Sequence, residues 1–231
     1  PADYEAVAAR PFDLSNVGFW PDFPTTARTA VDLFARQGGG AVDGVVAITE
    51  HTMARLIGII GPIQLADYAK PVTEDGFAER VLYEVELKRP LDNPRKKFLQ
   101  DLSAEVFNRL FSLPADKVPA VIDALGRSAA AGDIQAWFSR PDWLVDIGGT
   151  AIDGALPAID EGSDFLLVTE ANMTASKANA DLTRSFDYSV TKTDGGRLKA
   201  TLRIEYRNDG PESIVNPYYN GRIRVYVPHG V

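Results

Sequence analysis

The 231-residue chain contains no cysteine. That removes disulfides, thiolate metal sites and cysteine nucleophiles together, and it leaves the redox compartment open, because Cys-free chains occur on either side of a membrane. Histidine is nearly as scarce: His51 and His229 stand in distant segments, so no His-x-x-x-His metal pair can form. Long hydrophobic runs are missing. No stretch approaches the roughly 18 consecutive apolar residues that cross a bilayer, and no basic n-region with an apolar h-region opens the chain. Neither a phosphate-cradling Gly-rich loop with a following Lys-Ser/Thr nor a Gly-x-Ser-x-Gly elbow is present. Cations are in deficit: the formal net charge is −8, with 15 Lys/Arg against 23 Asp/Glu over residues 1–160 and nine of each over 161–231. Such a balance excludes a general nucleic-acid binder, whose affinity rests on phosphates neutralised by clustered cations. The chain opens at Pro1 without methionine, which sets the expectation of a mature product or a fragment cut from a longer precursor.

What is present is a pattern of elements. At 45% hydrophobic content the chain can bury two modest cores. Residues Trp20 to Leu65 read as helix, strand, helix, strand. Thr25 or Thr26, after Pro24, is expected to cap a helix with Ala27, Ala30, Val31 and Phe34 at helical spacing, stopped by Gly38-Gly39-Gly40. Val42 to Ile48 is an apolar run without alternation, as expected of a strand covered on both faces. A second helix carries Met53, Leu56, Ile57 and Ile60, and Gly61-Pro62 breaks it. Three helices follow: one capped by Thr73, one over 94–111 with Phe98, Leu99, Leu102, Val106 and Leu110 inward, and one over about 115–130 with Val118, Val121, Ile122 and Leu125 at helical spacing. Ile134 to Phe138 reads as a return strand, and Arg140 to Val145 as a short helix.

Beyond about residue 160 the period switches to two. Phe186, Tyr188 and Val190 alternate with polar residues; Asp194-Gly195-Gly196 is a turn signal; Leu198, Ala200, Leu202, Ile204 and Tyr206 alternate again; and Ile223, Val225 and Val227 make a further strand. The fold class expected is α+β: an α/β layered domain over 1–150, with a mixed sheet flanked by helices, followed over 160–231 by an antiparallel β, sandwich-like domain with partner strands missing.

Few residues carry a chemical signal. His51, beside Glu50 at a helix start, reads as a surface or capping residue in preference to a general base. Acid pairs such as Glu74-Asp75 and Asp160-Glu161 suit a helix N-terminus and a solvated loop, and no metal site is expected. The more informative group is Asp92-Asn93-Pro94-Arg95-Lys96-Lys97, where three cations occupy the first turn of a helix, the unfavourable end of its dipole. One reading is solvation and pairing with Asp92. The other is an anion site, in which Asp92, Arg95, Lys96 and Lys97 with free helix-end N–H groups hold a phosphate. No cofactor is implied.

Several short motifs recur in one order: Asp22-Phe23-Pro24, then Val42-Asp43-Gly44-Val45-Val46-Ala47-Ile48, Gly61-Pro62, Arg95-Lys96-x-Phe98-Leu99, Glu170-Ala171-Asn172 with Lys177, and Tyr226-Val227-Pro228-x-Gly230. In these the chain resembles a large bacterial family of membrane-anchored envelope proteins, a domain of unknown function (4012). The resemblance implies an extracytoplasmic protein that binds or assembles with surface proteins or glycopolymers and meets the membrane only through an anchor. More remotely, the first half is similar to the LytR-CpsA-Psr phosphotransferases, with Asp92 and Arg95 matching an Asp-x-x-Arg pattern and Phe98 standing where a following arginine would be. That similarity implies the alternative function, transfer of a glycopolymer from a polyprenyl-pyrophosphate carrier.

Overall fold

The computed structural model of the chain describes residues 4, 11–87, 94–140, 142, 150, 152–159, 163–174, 176–213, 216 and 218–228. It is an α+β protein. Backbone contacts divide it into two compact units, one of Asp13–Ala158 and one of Ile159–Val231 with Pro1–Phe12.

The first unit opens with a 3₁₀ turn, Leu14–Asn16, closed by a capping box between Asp13 and Asn16. Helix α1 spans Phe23–Arg36. It starts earlier than the threonines suggested, because Asp22 is the cap: its carboxylate accepts from Thr25 N at 2.9 Å, and Pro24 lies in the first turn, where no N–H is needed. The helix stops at Gln37, and Gly38 turns the chain away at φ +87°. Strand β1, Gly44–Ile48, pairs antiparallel with β2, Ile134–Phe138, Val46 opposite Ala136. The sheet expected to be mixed is thus an antiparallel pair among the described residues. Its faces differ. Helix α1 packs on one, where Phe23 and Ala27 are buried. On the other, Val46 is 58% and Ile48 45% exposed, so β1 is not covered on both faces as its unbroken apolar run predicted.

The core of this unit lies among helices instead. Helix α2, Glu50–Ile60, supplies Ile57; the segment after Gly61-Pro62 supplies Ile63, Leu65, Tyr68 and Val72; α3, Phe77–Leu82, supplies Phe77; and α4, Pro94–Phe111, supplies Phe98, Leu102 and Val106. Ile63 and Val72 are tied by a two-way backbone bridge, at 2.9 and 2.8 Å. Helix α3 is preceded by Gly76 without a side-chain cap bond, and Thr73 Oγ1 accepts from Gly76 N at 3.3 Å. A π-helical turn, Tyr83–Leu87, follows it. Leu99, expected inward on α4, is exposed; at one residue after Phe98 it falls about 100° around the helix from the buried stripe.

A 3₁₀ turn, Ala115–Lys117, leads into α5, Val118–Ala130, which packs on α2 and leans on β2. Lys117 donates to the carbonyl of Ile59 (2.9 Å), one of the last acceptors of α2, and Arg109 to that of Pro62 (2.9 Å), just beyond the helix. Of the short helix read at Arg140 to Val145, only Arg140 and Asp142 lie within the described residues, and Asp142 is helical.

Among the described residues the second unit holds four strands in two antiparallel pairs. Strand β3, Leu167–Asn172, pairs with β6, Gly221–Tyr226. Strands β4, Leu182–Lys192, and β5, Leu198–Asn208, form an eleven-residue ribbon from Leu182↔Asn208 to Lys192↔Leu198. Gly196, at φ +77°, closes its tip.

Candidate functional site

The cations singled out in the sequence belong to the first turn of α4. Asp92 lies outside the described residues. Arg95 and Lys96 are in the first helical turn, and their side chains lie outside the described set too. Lys97 is exposed, and its ammonium donates to Asp101 Oδ2 at 2.5 Å and Asp67 Oδ2 at 3.0 Å. These two hydrogen bonds, Asp101's first, raise its pKa. Lys97 therefore fastens the 63–72 segment to α4, and a phosphate approaching it would compete with two carboxylates already in place.

His51 sits exposed in the first turn of α2. Beside it is a latch built on Asp133, in the turn between α5 and β2. Thr49 Oγ1 donates to one carboxylate oxygen (2.9 Å), Arg55 to the other (2.8 Å), and Thr52 Oγ1 to the Asp133 carbonyl (3.2 Å). The hydrogen bonds from Thr49 and then Arg55 hold the carboxyl below the usual range. Arg55 also reaches the buried Ser128 hydroxyl at 2.8 Å, which locks α2 to α5.

Next to this latch an open groove of about 400 Å³ runs between α5 and the uncovered face of β1–β2. Val46, Ile48, Leu125, Gly126, Ala129, Ile134 and Ile152 line it. All are apolar or glycine. The apolar rim continues along α5, where Val118 and Ile122 are exposed, Ile122 by 64%. Helical spacing marked these positions as inward, and the structure leaves them bare.

The second unit holds a polar cluster that sequence reasoning did not assemble. Arg184 Nε donates to Glu170 Oε1 at 2.7 Å, and its Nη2 reaches the same oxygen. Tyr206 and Tyr219 stack with centroids 6.3 Å apart beside Glu170. Burial alone would raise the Glu170 carboxyl; the hydrogen bonds from Arg184 and Tyr206 and the guanidinium charge outweigh it and leave the pKa low. Burial, then the carboxylate, pushes Tyr206 up to about 12. Asn216, 2% exposed, knits the neighbouring turn by donating to Asp181 (2.8 Å) and Asn208 (3.1 Å). The signal available in the sequence was Arg184 itself, a cation in the otherwise apolar row Leu182, Phe186, Tyr188 and Val190, where it needs a carboxylate partner.

Residues 2–85 match the model of a family described as a protein of unknown function (DUF4012). The matched stretch takes in α1, β1, α2 and α3, with the 63–72 segment that carries much of the core. The motifs read further along, at Arg95-Lys96, at Glu170-Ala171-Asn172 and at Tyr226-Val227-Pro228, fall beyond it. No curated protein and no solved structure matches the chain. No helix among the described residues is long and apolar enough to cross a membrane.

Proposed function

We propose that the chain is a binding or assembly component of a cell surface, and that the groove between α5 and β1–β2 receives apolar side chains of another protein. The observation that carries this reading is the uncovered apolar face. Val46, Ile48, Ile122 and Leu125 follow the periodicities of buried residues, yet they stand exposed together beside the groove. Fully burying side chains of this size contributes about 1.5–3 kcal/mol each, enough to hold a partner.

A phosphorylated polyprenyl chain is the other occupant such a groove brings to mind, and the charges argue against it. The cations flanking the groove are committed: Arg55 to Asp133 and Arg127 to Asp123. The placement at a cell surface rests on the resemblance to envelope proteins. Photo-crosslinking from position 122 in the native host tests the reading, with position 192 at the ribbon tip as control. A discrete protein adduct from position 122, absent from 192, is expected. Adducts to lipid, adducts to the chain's own second unit, or no adduct would overturn it.

A further inference from the structure

The β4–β5 ribbon has a free edge whose charge pattern fits one partner. In an antiparallel pair, residues alternate between those that exchange backbone hydrogen bonds with the neighbour and those whose N–H and C=O face the other way. Thr193 N donates to Arg197 O (2.8 Å) and Asp209 N to Asp181 O (3.2 Å), which fixes the phase. Lys199, Thr201, Arg203, Glu205 and Arg207 spend their backbone groups on β4. Those of Leu198, Ala200, Leu202, Ile204 and Tyr206 face the outer edge of β5, which no strand pairs among the described residues.

We propose that two copies of the chain pair through this edge, β5 against β5 antiparallel about Ile204, to make one four-stranded sheet. In that register the outward backbone groups of Leu202, Ile204 and Tyr206 meet their counterparts. On the polar face Arg203 stands opposite the second copy's Glu205, Lys199 opposite its Asp209, and Arg207 opposite its Thr201. The two-fold axis repeats each pair, so no like charges face each other. Lysine and arginine on an edge ordinarily discourage pairing. Here acids occupy the positions that answer them. The same pairing sets Leu202 against Tyr206 and Ile204 against itself on the apolar face, where Leu198 and Phe186 are exposed. The opposite edge is unsuited, since the polar positions of β4 are Thr183, Ser185, Asp187, Ser189 and Thr191 and offer no ion pair. An isologous contact also closes on itself, whereas β4 against β5 would propagate.

Sedimentation of the full chain over a wide concentration range is the measurement. A concentration-dependent dimer is expected. Arg203→Glu sets acid against acid across the axis, and Glu205→Arg sets cation against cation; each should weaken the dimer by about tenfold or more. Both residues are exposed, so neither change should alter the circular dichroism. The double variant Arg203→Glu/Glu205→Arg restores opposite signs and should dimerise like the parent. An equimolar mixture of the two single variants should form a heterodimer more readily than either self-associates. A chain that stays monomeric throughout, or a dimer indifferent to these exchanges, overturns the proposal and leaves the groove reading untouched.

Discussion

At the scale of the residue, the arrangement most exposed to test is Glu170 with Arg184. The folded state holds the Glu170 carboxyl below its ordinary 4.5, so this group stabilises the fold fully above that value. The contribution is lost as pH falls through the lower, folded-state value. Glu170→Gln should flatten the acid limb of an unfolding curve, and Glu170→Ala should cost about 1–2 kcal/mol at neutral pH, a range kept low because both side chains keep some solvent. Tyr206 answers at the other end of the scale. Its pKa is raised from 10 to about 12, so its stabilisation is intact below 10 and declines as pH rises towards 12. Tyr68, Tyr188 and Tyr219 are raised as well, so absorbance titration of tyrosinate should show several late-ionising tyrosines, and Tyr206→Phe should remove one of them.

At the scale of the element, α1 depends on one cap. Asp22 accepts from Thr25 N and, through its second oxygen, from Leu156 N at 3.1 Å, so it both starts the helix and holds the 152–158 segment against it. Burial works against its charge, and the bonds from Thr25 and Leu156 overcome that and lower its pKa. Asp22→Ala should cost about 1–2 kcal/mol by chemical denaturation, and Asp22→Asn distinctly less. The same elements show what the sequence made legible. The ends of α4, at Pro94 and Phe111, and β2, at Ile134 and Phe138, fall where periodicity and proline placed them. The alternation read over Phe186–Val190 and Leu198–Tyr206 falls within β4 and β5, because only an extended backbone puts every second side chain on one face, though β4 starts earlier, at Leu182. The start of α1 was missed because an aspartate before an aromatic competed with two threonines for the cap. The bareness of β1 and α5 was not legible, because an apolar period states that a face wants cover and not whether the chain supplies it. Arg184 was overlooked for a related reason: its partner Glu170 lies on another strand, at a sequence distance that no local period spans. The anion site read at Arg95 and Lys96 rested on local sequence alone, and Lys97 shows how a neighbour from the 63–72 segment enters such a reading from outside.

At the scale of the molecule, the chain divides into two compact units. The first is centred on Phe98, Leu102, Val106 and Ile57, and the second on the strands around Glu170 and Arg184. Phe98→Ala empties a wholly buried site and should cost about 3–5 kcal/mol in the helical unit. The acid response of the Glu170 unit should stay as it was, which tyrosine fluorescence near Tyr206 and Tyr219 can follow separately from helical ellipticity. Ile122→Asp, on the exposed face of α5, should change stability by no more than about 0.5 kcal/mol. A large loss there would mean that the face is covered within the chain.

The ribbon of β4 and β5 runs for eleven pairs with one residue facing one residue throughout. Because side chains alternate, a single inserted or deleted residue within either arm would turn every later position inside out, moving Arg203 into the apolar row and Ile204 out of it. Length can therefore change in this ribbon by two residues in both arms at once, or at the Asp194-Gly195-Gly196 tip, where an added side chain at Gly195 meets nothing within 4 Å. Relatives of this chain should differ in ribbon length by even steps, and the tip is the place to insert an epitope without disturbing either face.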